Sequence, residues 1–231
     1  MQTPDHPLHA EAAEPAESAA PTAPAAIGRT SRARGRPRAF DREAALSKAM
    51  RLFWQKGYEA TSLADLTAAM GIASPSLYAA FGSKEALFVE ALNHYGATYA
   101  WGWKNFLEAA TARDAVQAWL MDSAAFLTGN IEDVPLGCMA TLSVIGAAGH
   151  QELCEQTRAA RAAPRTVVRT RLEQGAANGE IPPSVDLDAL ARFVQIVQNG
   201  MSLHARDGAS RAELEAVARM AMRSWDALVE G

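Results

Sequence analysis

The chain is 231 residues long and 49% hydrophobic, with 22 basic and 26 acidic side chains and a formal net charge of −4 at pH 7. That length suits one small head plus one larger body, and no stretch approaches the roughly 20 apolar residues of a membrane span. Two cysteines without a CxxC pair, scattered histidines, and the lack of GxSxG, HExxH, P-loop or dinucleotide signatures argue against a metal site, a cofactor and an enzyme.

Residues 1–28 are rich in Ala, Pro and Glu and carry only acids (Asp5, Glu11, Glu14, Glu17). They offer almost nothing to bury, so disorder is expected. They also lack the basic start and continuous apolar core of a signal peptide, which makes a cytoplasmic protein the expectation. The sign of charge then reverses, with Arg29, Arg32, Arg34, Arg36 and Arg38 close together and Gly35 and Pro37 preventing a regular helix. A flexible cationic arm suits the negative potential of a narrow minor groove. The Arg34-Gly35-Arg36-Pro37 core resembles an AT-hook; a solvated linker is the alternative reading.

The stretch from Thr61 to Lys84 reads as two short helices around a glycine turn. Ser62 is a good N-cap with Asp65 as the acidic half of a capping box, and Leu63, Leu66 and Met70 form one buried stripe. Gly71 tolerates the positive φ that ends the helix, and Ile72 supplies the hydrophobic contact after it. A second start follows at once, with Ser74 as cap and Pro75 at the first helical position. Two helices joined by about three residues must cross steeply, as in a helix-turn-helix.

On the second helix Leu77 and Phe81, four apart, point into the core, while Pro75 and Ala79 point outward between Ser76 and Tyr78. If this helix enters a major groove, no Arg, Asn or Gln is available to read a base edge bidentately. Ser74 and Ser76 are expected to make a few polar contacts, Pro75 and Ala79 to touch thymine methyls, and Tyr78 to reach a phosphate. Much of the specificity should then come from DNA shape and from spacing. A surface helix with small side chains is the plain structural reading.

From Gly35 to about Tyr95 the residues resemble the DNA-binding domain of TetR-family transcriptional regulators. The resemblance rests on Phe53 and Lys56-Gly57-Tyr58, Thr61-Ser62, Gly71-Ile72, Leu77-Tyr78 with Phe81, and Ser83-Lys84-Glu85 with Leu87. It implies an all-helical homodimer: 1–34 as tail and start of the arm, 35–83 as a three-helix DNA-binding domain, and 84–231 as an effector-binding and dimerisation body. Carried onto matching positions, it implies phosphate contacts from Thr61 or Ser62, Tyr78 and Lys84, and places Ser74, Pro75 and Ser76 near bases.

Past Tyr95 the pattern predicts only helices, over about 84–109, 112–128, 135–148, 151–178, 186–206 and 210–229. In the last of these Leu214, Val217, Ala218, Ala221, Trp225 and Leu228 form an apolar stripe. The preceding helix is apolar over most of its circumference through Leu190, Phe193, Val194, Ile196, Val197 and Met201. The two are therefore expected to form a subunit interface through Val194, Val197, Met201, Leu214, Val217, Ala221 and Trp225, and the family's usual dimer interface implies the same. Core packing within one monomer is the alternative. A dimer would place two heads on a palindromic operator.

Trp101, Trp103, Phe106, Trp119, Phe126, Cys138 and Leu142, with Met121, Met139 and Ile145, fall in the helices that the family uses to line an effector pocket. Such a lining suits an apolar or aromatic small molecule, with Asp122, His94 or His150 as an orienting polar group, although aromatic residues at helical spacing are more often plain core. Cys138 and Cys154 raise a thiol sensor, and His150 with Cys154 a metal pair, against the more usual buried, inert cysteine. The leading expectation is a ligand-responsive repressor bound to double-stranded DNA. The alternatives are an inducer-independent architectural or activating DNA-binding protein, and a thiol sensor using Cys138.

Overall fold

The structure is a computed structural model that describes residues 41–129, 134–143 and 150–230. The acidic tail and the arm residues Arg34, Arg36 and Arg38 lie outside the described residues, as does Ile145. Every described element is helical: α1 Arg42–Lys56, α2 Leu63–Met70, α3 Ser74–Phe81, α4 Lys84–Thr98, α5 Lys104–Glu108, α6 Ala112–Leu127, α7 Met139–Leu142, α8 Gln151–Ala177, α9 Leu187–Arg206 and α10 Arg211–Glu230.

The first three helices follow from local chemistry. Asp41 caps α1 by accepting from the Ala44 amide at 3.0 Å, and its apolar stripe (Ala45, Leu46, Ala49, Met50, Phe53, Trp54) is fully buried. Ser62 and Asp65 form the reciprocal capping box of α2, at 3.0 and 3.1 Å, and Lys56 pairs with Asp65 at 3.1 Å. Gly71 adopts φ 72°, ψ 34°, and its amide returns to the α2 carbonyls. The cap of α3 differs from the expectation: Ala73 holds the N-cap position without a side-chain bond, and Ser74 and Pro75 are already helical.

These helices close on α4 around Phe53, Leu66, Leu77, Leu87 and Phe88, with Met139 of α7 and Leu153 of α8 joining the same cluster. Phe88 stands edge-on to both Phe53 and Tyr58. Arg42 ties the start of α1 to the end of α3 and the middle of α4. It makes bonds of 2.8 and 2.7 Å to the Glu90 carboxylate and a cation–π contact with Phe81 at 4.5 Å.

A second cluster gathers α5, α6, α8, α9 and α10 around Trp119, Leu120, Leu172, Val194, Met201 and Trp225. The expected single helix over 84–109 is broken here. It ends at Thr98, a 3₁₀ turn spans Ala100–Trp103, and α5 follows. The reason is aromatic: alternate residues of an α-helix are about 200° apart and cannot share a face, yet Tyr99 and Trp101 both reach Phe126, and Trp103 stacks on Trp119 at 5.2 Å. The expected helix over 135–148 is also shorter. Val134 to Cys138 is non-helical, only Met139–Leu142 is helical, and 144–149 lie outside the described residues. Gly137 sits there at φ 78°, and a Cβ on it would lie 2.8 Å from the Ser202 carbonyl oxygen of α9.

Candidate nucleic-acid interface and effector cavity

Ser74, Pro75, Ser76, Tyr78 and Ala79 are all exposed on α3, while Leu77 and Phe81 are buried. The outward face is therefore the small, weakly hydrogen-bonding set that the helix periodicity gave. Ser62 is also exposed, at the start of α2. Thr61 is a correction: it is completely buried, its hydroxyl donating to the Gly57 carbonyl at 2.6 Å, so it presents nothing to a phosphate.

Lys84 opens α4 half-buried, its Nζ 4.2 Å from the centre of the Tyr58 ring. A cation at a helix N-terminus opposes the dipole; the ring contact offsets part of that cost. The Tyr58 hydroxyl in turn donates to Glu85 at 2.8 Å. Burial, and then the Glu85 bond, push the Tyr58 phenol well above its usual range. The Glu85 carboxyl is held low by its own backbone amide and then by the Tyr58 and Ser83 hydroxyls. Tyr58 and Glu85 figure in the sequence only among the residues that carry the family resemblance; their bond to each other was not legible there, because it depends on the tertiary approach of α4 to the α1–α2 loop.

Behind this head lies a cavity of about 520 Å³ walled by α4, α5, α6, α7, α8 and α9. Trp101, Trp103, Trp119, Asp122, Phe126 and Cys138 all line it, as the sequence suggested, and Tyr95 of α4 and Tyr99 at its cap add to the aromatic wall. Four expected members do not. Phe106 is in the core beside a separate groove with Leu107 and Thr170, Leu142 packs beside Gly137, Met139 is buried in the cluster of the head and Met121 packs against that of the body. Phe106 and Leu142 stand on very short helices, so a lining inferred from proximity in sequence fails there.

The cavity wall also carries polar side chains, several of them bonded to one another or to backbone. Asp122 accepts from Asn105 at 2.9 Å, and Thr141 donates to Asn199 at 3.0 Å. Arg161 donates to the Ser143 carbonyl at 2.6 Å. Pro164, inside α8, has no N–H for the Ala160 carbonyl, and both residues border the cavity. The Cys138 sulfur accepts from the Tyr95 hydroxyl at 3.2 Å, and burial, with Cys138 next, raises the Tyr95 phenol well above its usual range. Cys138 and Cys154 are both half-buried and not disulfide-bonded, and His150 lies 3.9 Å from Glu85 rather than on a metal site. No cluster of metal-binding side chains occurs among the described residues.

The expected subunit interface needs a larger correction. Val194, Met201, Leu214, Ala221 and Trp225 are buried within the chain itself, and Val197 is half-buried. Only Val217 of that set is largely exposed, at 47%. The surface instead carries Ile196 and Leu203 on α9, and Val217, Met220 and Leu228 on α10. Each helix has two apolar faces, roughly opposite one another on α9 and about 100° apart round the axis of α10. One packs inward, α10 chiefly on α6, where Arg113 makes a two-point bond to Asp226 at the rim. The other is open.

With this geometry in place, comparison with known proteins is informative. Residues 45–91 match the family model described as bacterial regulatory proteins, tetR family. The chain is 39% identical over 202 residues to the HTH-type transcriptional repressor ComR of Escherichia coli K12, covering 86% of this chain and 95% of that protein. It is 56% identical over 70 residues to the repressor BdcR of the same organism, covering 30% of this chain and 36% of that protein. Among solved structures, a cysteine mutant of the TetR-family transcriptional regulator CifR, complexed with 26-bp double-strand operator DNA, is 40% identical. It superimposes with a TM-score of 0.77 over 82% of this chain and 100% of that one.

Proposed function

The chain belongs to the TetR family of DNA-binding transcriptional regulators, and we propose that it is a cytoplasmic homodimeric repressor released from a palindromic operator by a small aromatic effector. The observation that carries this reading is the position of the cavity. Its wall includes Leu92 and Tyr95 from the C-terminal half of α4 and Tyr99 at its cap, while Leu87, Phe88 and Ala91 of the same helix pack into the core beneath α2 and α3. A molecule filling the cavity bears on the helix that seats the DNA-reading pair.

On this reading 35–83 reads DNA and 84–231 binds effector and partner. The arm residues Arg34, Arg36 and Arg38 follow the minor groove. Ser62, Tyr78 and Lys84 hold phosphates, and Ser74, Pro75 and Ser76 face bases. Two subunits join through Ile196, Leu203, Val217, Met220 and Leu228. Stacked indoles suit a planar body, while Asp122 and Arg161 orient its polar ends. Release requires the effector to prefer the form whose heads no longer match both half-sites, since equal affinity for both forms shifts nothing.

The test is an anisotropy titration of the protein's own upstream DNA in the presence of planar aromatic acids, phenols and amines. At least one compound that quenches the cavity tryptophans should release the DNA, and Asp122→Asn or Trp103→Ala should raise the concentration needed. The reading fails if compounds that occupy the cavity leave operator affinity unchanged.

A second reading is favoured by the Tyr95–Cys138 contact. An electrophilic alkene in the cavity would be captured as its β-carbon bonds to sulfur and the thiol proton passes to the α-carbon. Release that survives in Cys138→Ser excludes it.

A further inference from the structure

Helix α9 carries a polar stripe that the apolar reading of its sequence overlooks. Gln195, Asn199, Ser202 and Arg206 recur every three to four residues and so share one face. Each bonds a different element: Gln195 the Arg161 carbonyl of α8, Asn199 the Thr141 hydroxyl of α7, Ser202 the Cys138 amide, and Arg206 the end of α1. The last bond is unlike the others because it leaves the effector body for the head. Arg206 Nη2 donates to the Trp54 carbonyl at 2.7 Å and Nη1 to the Gln55 carbonyl at 3.1 Å.

Those carbonyls belong to the last turn of α1, where no intrahelical amide remains to pair with them. Arg206 is also the last residue of α9. A guanidinium carried by the last turn of α9 therefore sits at the negative end of the α1 dipole. Its Nε is buried without an acceptor, so the side chain gives up a hydrogen bond to hold this position. Leu203, on the open apolar face, lies three residues away on the same helix.

We infer that Arg206 is a positioning residue that fixes the DNA head to the dimerising helix and so sets the half-site spacing the protein accepts. The inference rests on the homodimeric reading above. A rigid route runs from the partner surface at Leu203, along one turn of α9, through Arg206 to α1. The two heads are then held at a set separation before any effector acts. Cutting this link should leave each head folded and able to touch DNA, but free to follow half-sites at other spacings.

The experiment compares wild type, Arg206→Gln and Arg206→Lys on the upstream operator and on versions with one or two base pairs inserted at its centre. Wild type should lose about tenfold or more in affinity on the lengthened sites, since rigid heads tolerate only set separations. In Arg206→Gln the penalty should shrink to about threefold or less, with non-specific DNA bound as before. Arg206→Lys, which keeps the charge without the planar fork, should fall between. A spacing penalty equal in wild type and Arg206→Gln overturns the inference while leaving the repressor reading intact. If wild type prefers no DNA fragment, both fall together. Hydrogen exchange gives a second measurement without DNA. Segment 51–58 should exchange several-fold faster in Arg206→Gln while 42–50 is unchanged, and equal exchange in both proteins also overturns the inference.

Discussion

The Thr61 hydroxyl donates to the Gly57 carbonyl at 2.6 Å, and this bond fixes the α1–α2 loop from inside. Thr61 is thus a folding residue at a position where the family resemblance suggests a DNA contact. Thr61→Val keeps the shape but removes the bond to the Gly57 carbonyl, at a cost of about 1 kcal/mol. Thermal unfolding should show a midpoint several degrees lower, with Thr61→Ser close to wild type. The salt dependence of DNA binding should not change, and a reduced salt slope in Thr61→Val would restore the phosphate role.

Lys84→Ala should behave in the opposite way. Loss of one phosphate contact lowers the magnitude of the slope of log affinity against log salt by about 0.9 and weakens specific and non-specific DNA alike. The Tyr58 ring also loses its cation, so a small drop in stability accompanies the change. Binding titrations from about 50 to 200 mM salt measure the slope directly. Pro75→Ala and Ser76→Ala, on the exposed face of α3, should instead alter sequence preference at fixed slope.

Ile196→Glu and Met220→Glu test the subunit surface. Both side chains are about 60% exposed in the single chain, so a charge there is tolerated by the fold but not by an apolar interface. Sedimentation should show a monomer with unchanged helical circular dichroism. Leu214→Asp, at 2% exposure, should unfold the body rather than release a folded monomer. A folded monomer from Leu214→Asp would reverse the assignment of the two faces.

Glu85 gives the head an acid-sensitive element. Its carboxyl titrates below the ordinary value of 4.5 because its own backbone amide, and then the Tyr58 and Ser83 hydroxyls, favour the charged form. A depressed folded pKa contributes stability that is complete above the unfolded value and is lost as pH falls through the lower folded value. The midpoint difference between wild type and Glu85→Gln should therefore shrink as pH falls below about 4.5. A difference that grows below that pH would contradict the proposed bonding.

Much of the head was legible before any coordinates. The capping box at Ser62 and Asp65, the glycine turn at Gly71 and the outward face of α3 are set within a few residues, by amide satisfaction and helix period. The open side of α9 and α10 was not legible. Val217 and Leu228 fall close enough to Leu214 and Trp225 on the helix to pass for one stripe, and only the presence of α6 decides which face is covered. The break after Thr98 escaped for a similar reason, since Tyr99, Trp101 and Trp103 part from the helix to reach partners on α6.

By itself the sequence determined an all-helical chain with a helix-turn-helix head, because caps, turns and apolar periods are local and each excludes the alternatives at its own position. Tertiary structure alone decided which aromatic residues enclose the cavity, which apolar faces remain open and that Arg206 grips α1 from 151 and 152 positions away. Those are matters of which surfaces meet. A helix with two apolar faces satisfies its own backbone equally well whichever face is buried, so only its neighbours can choose.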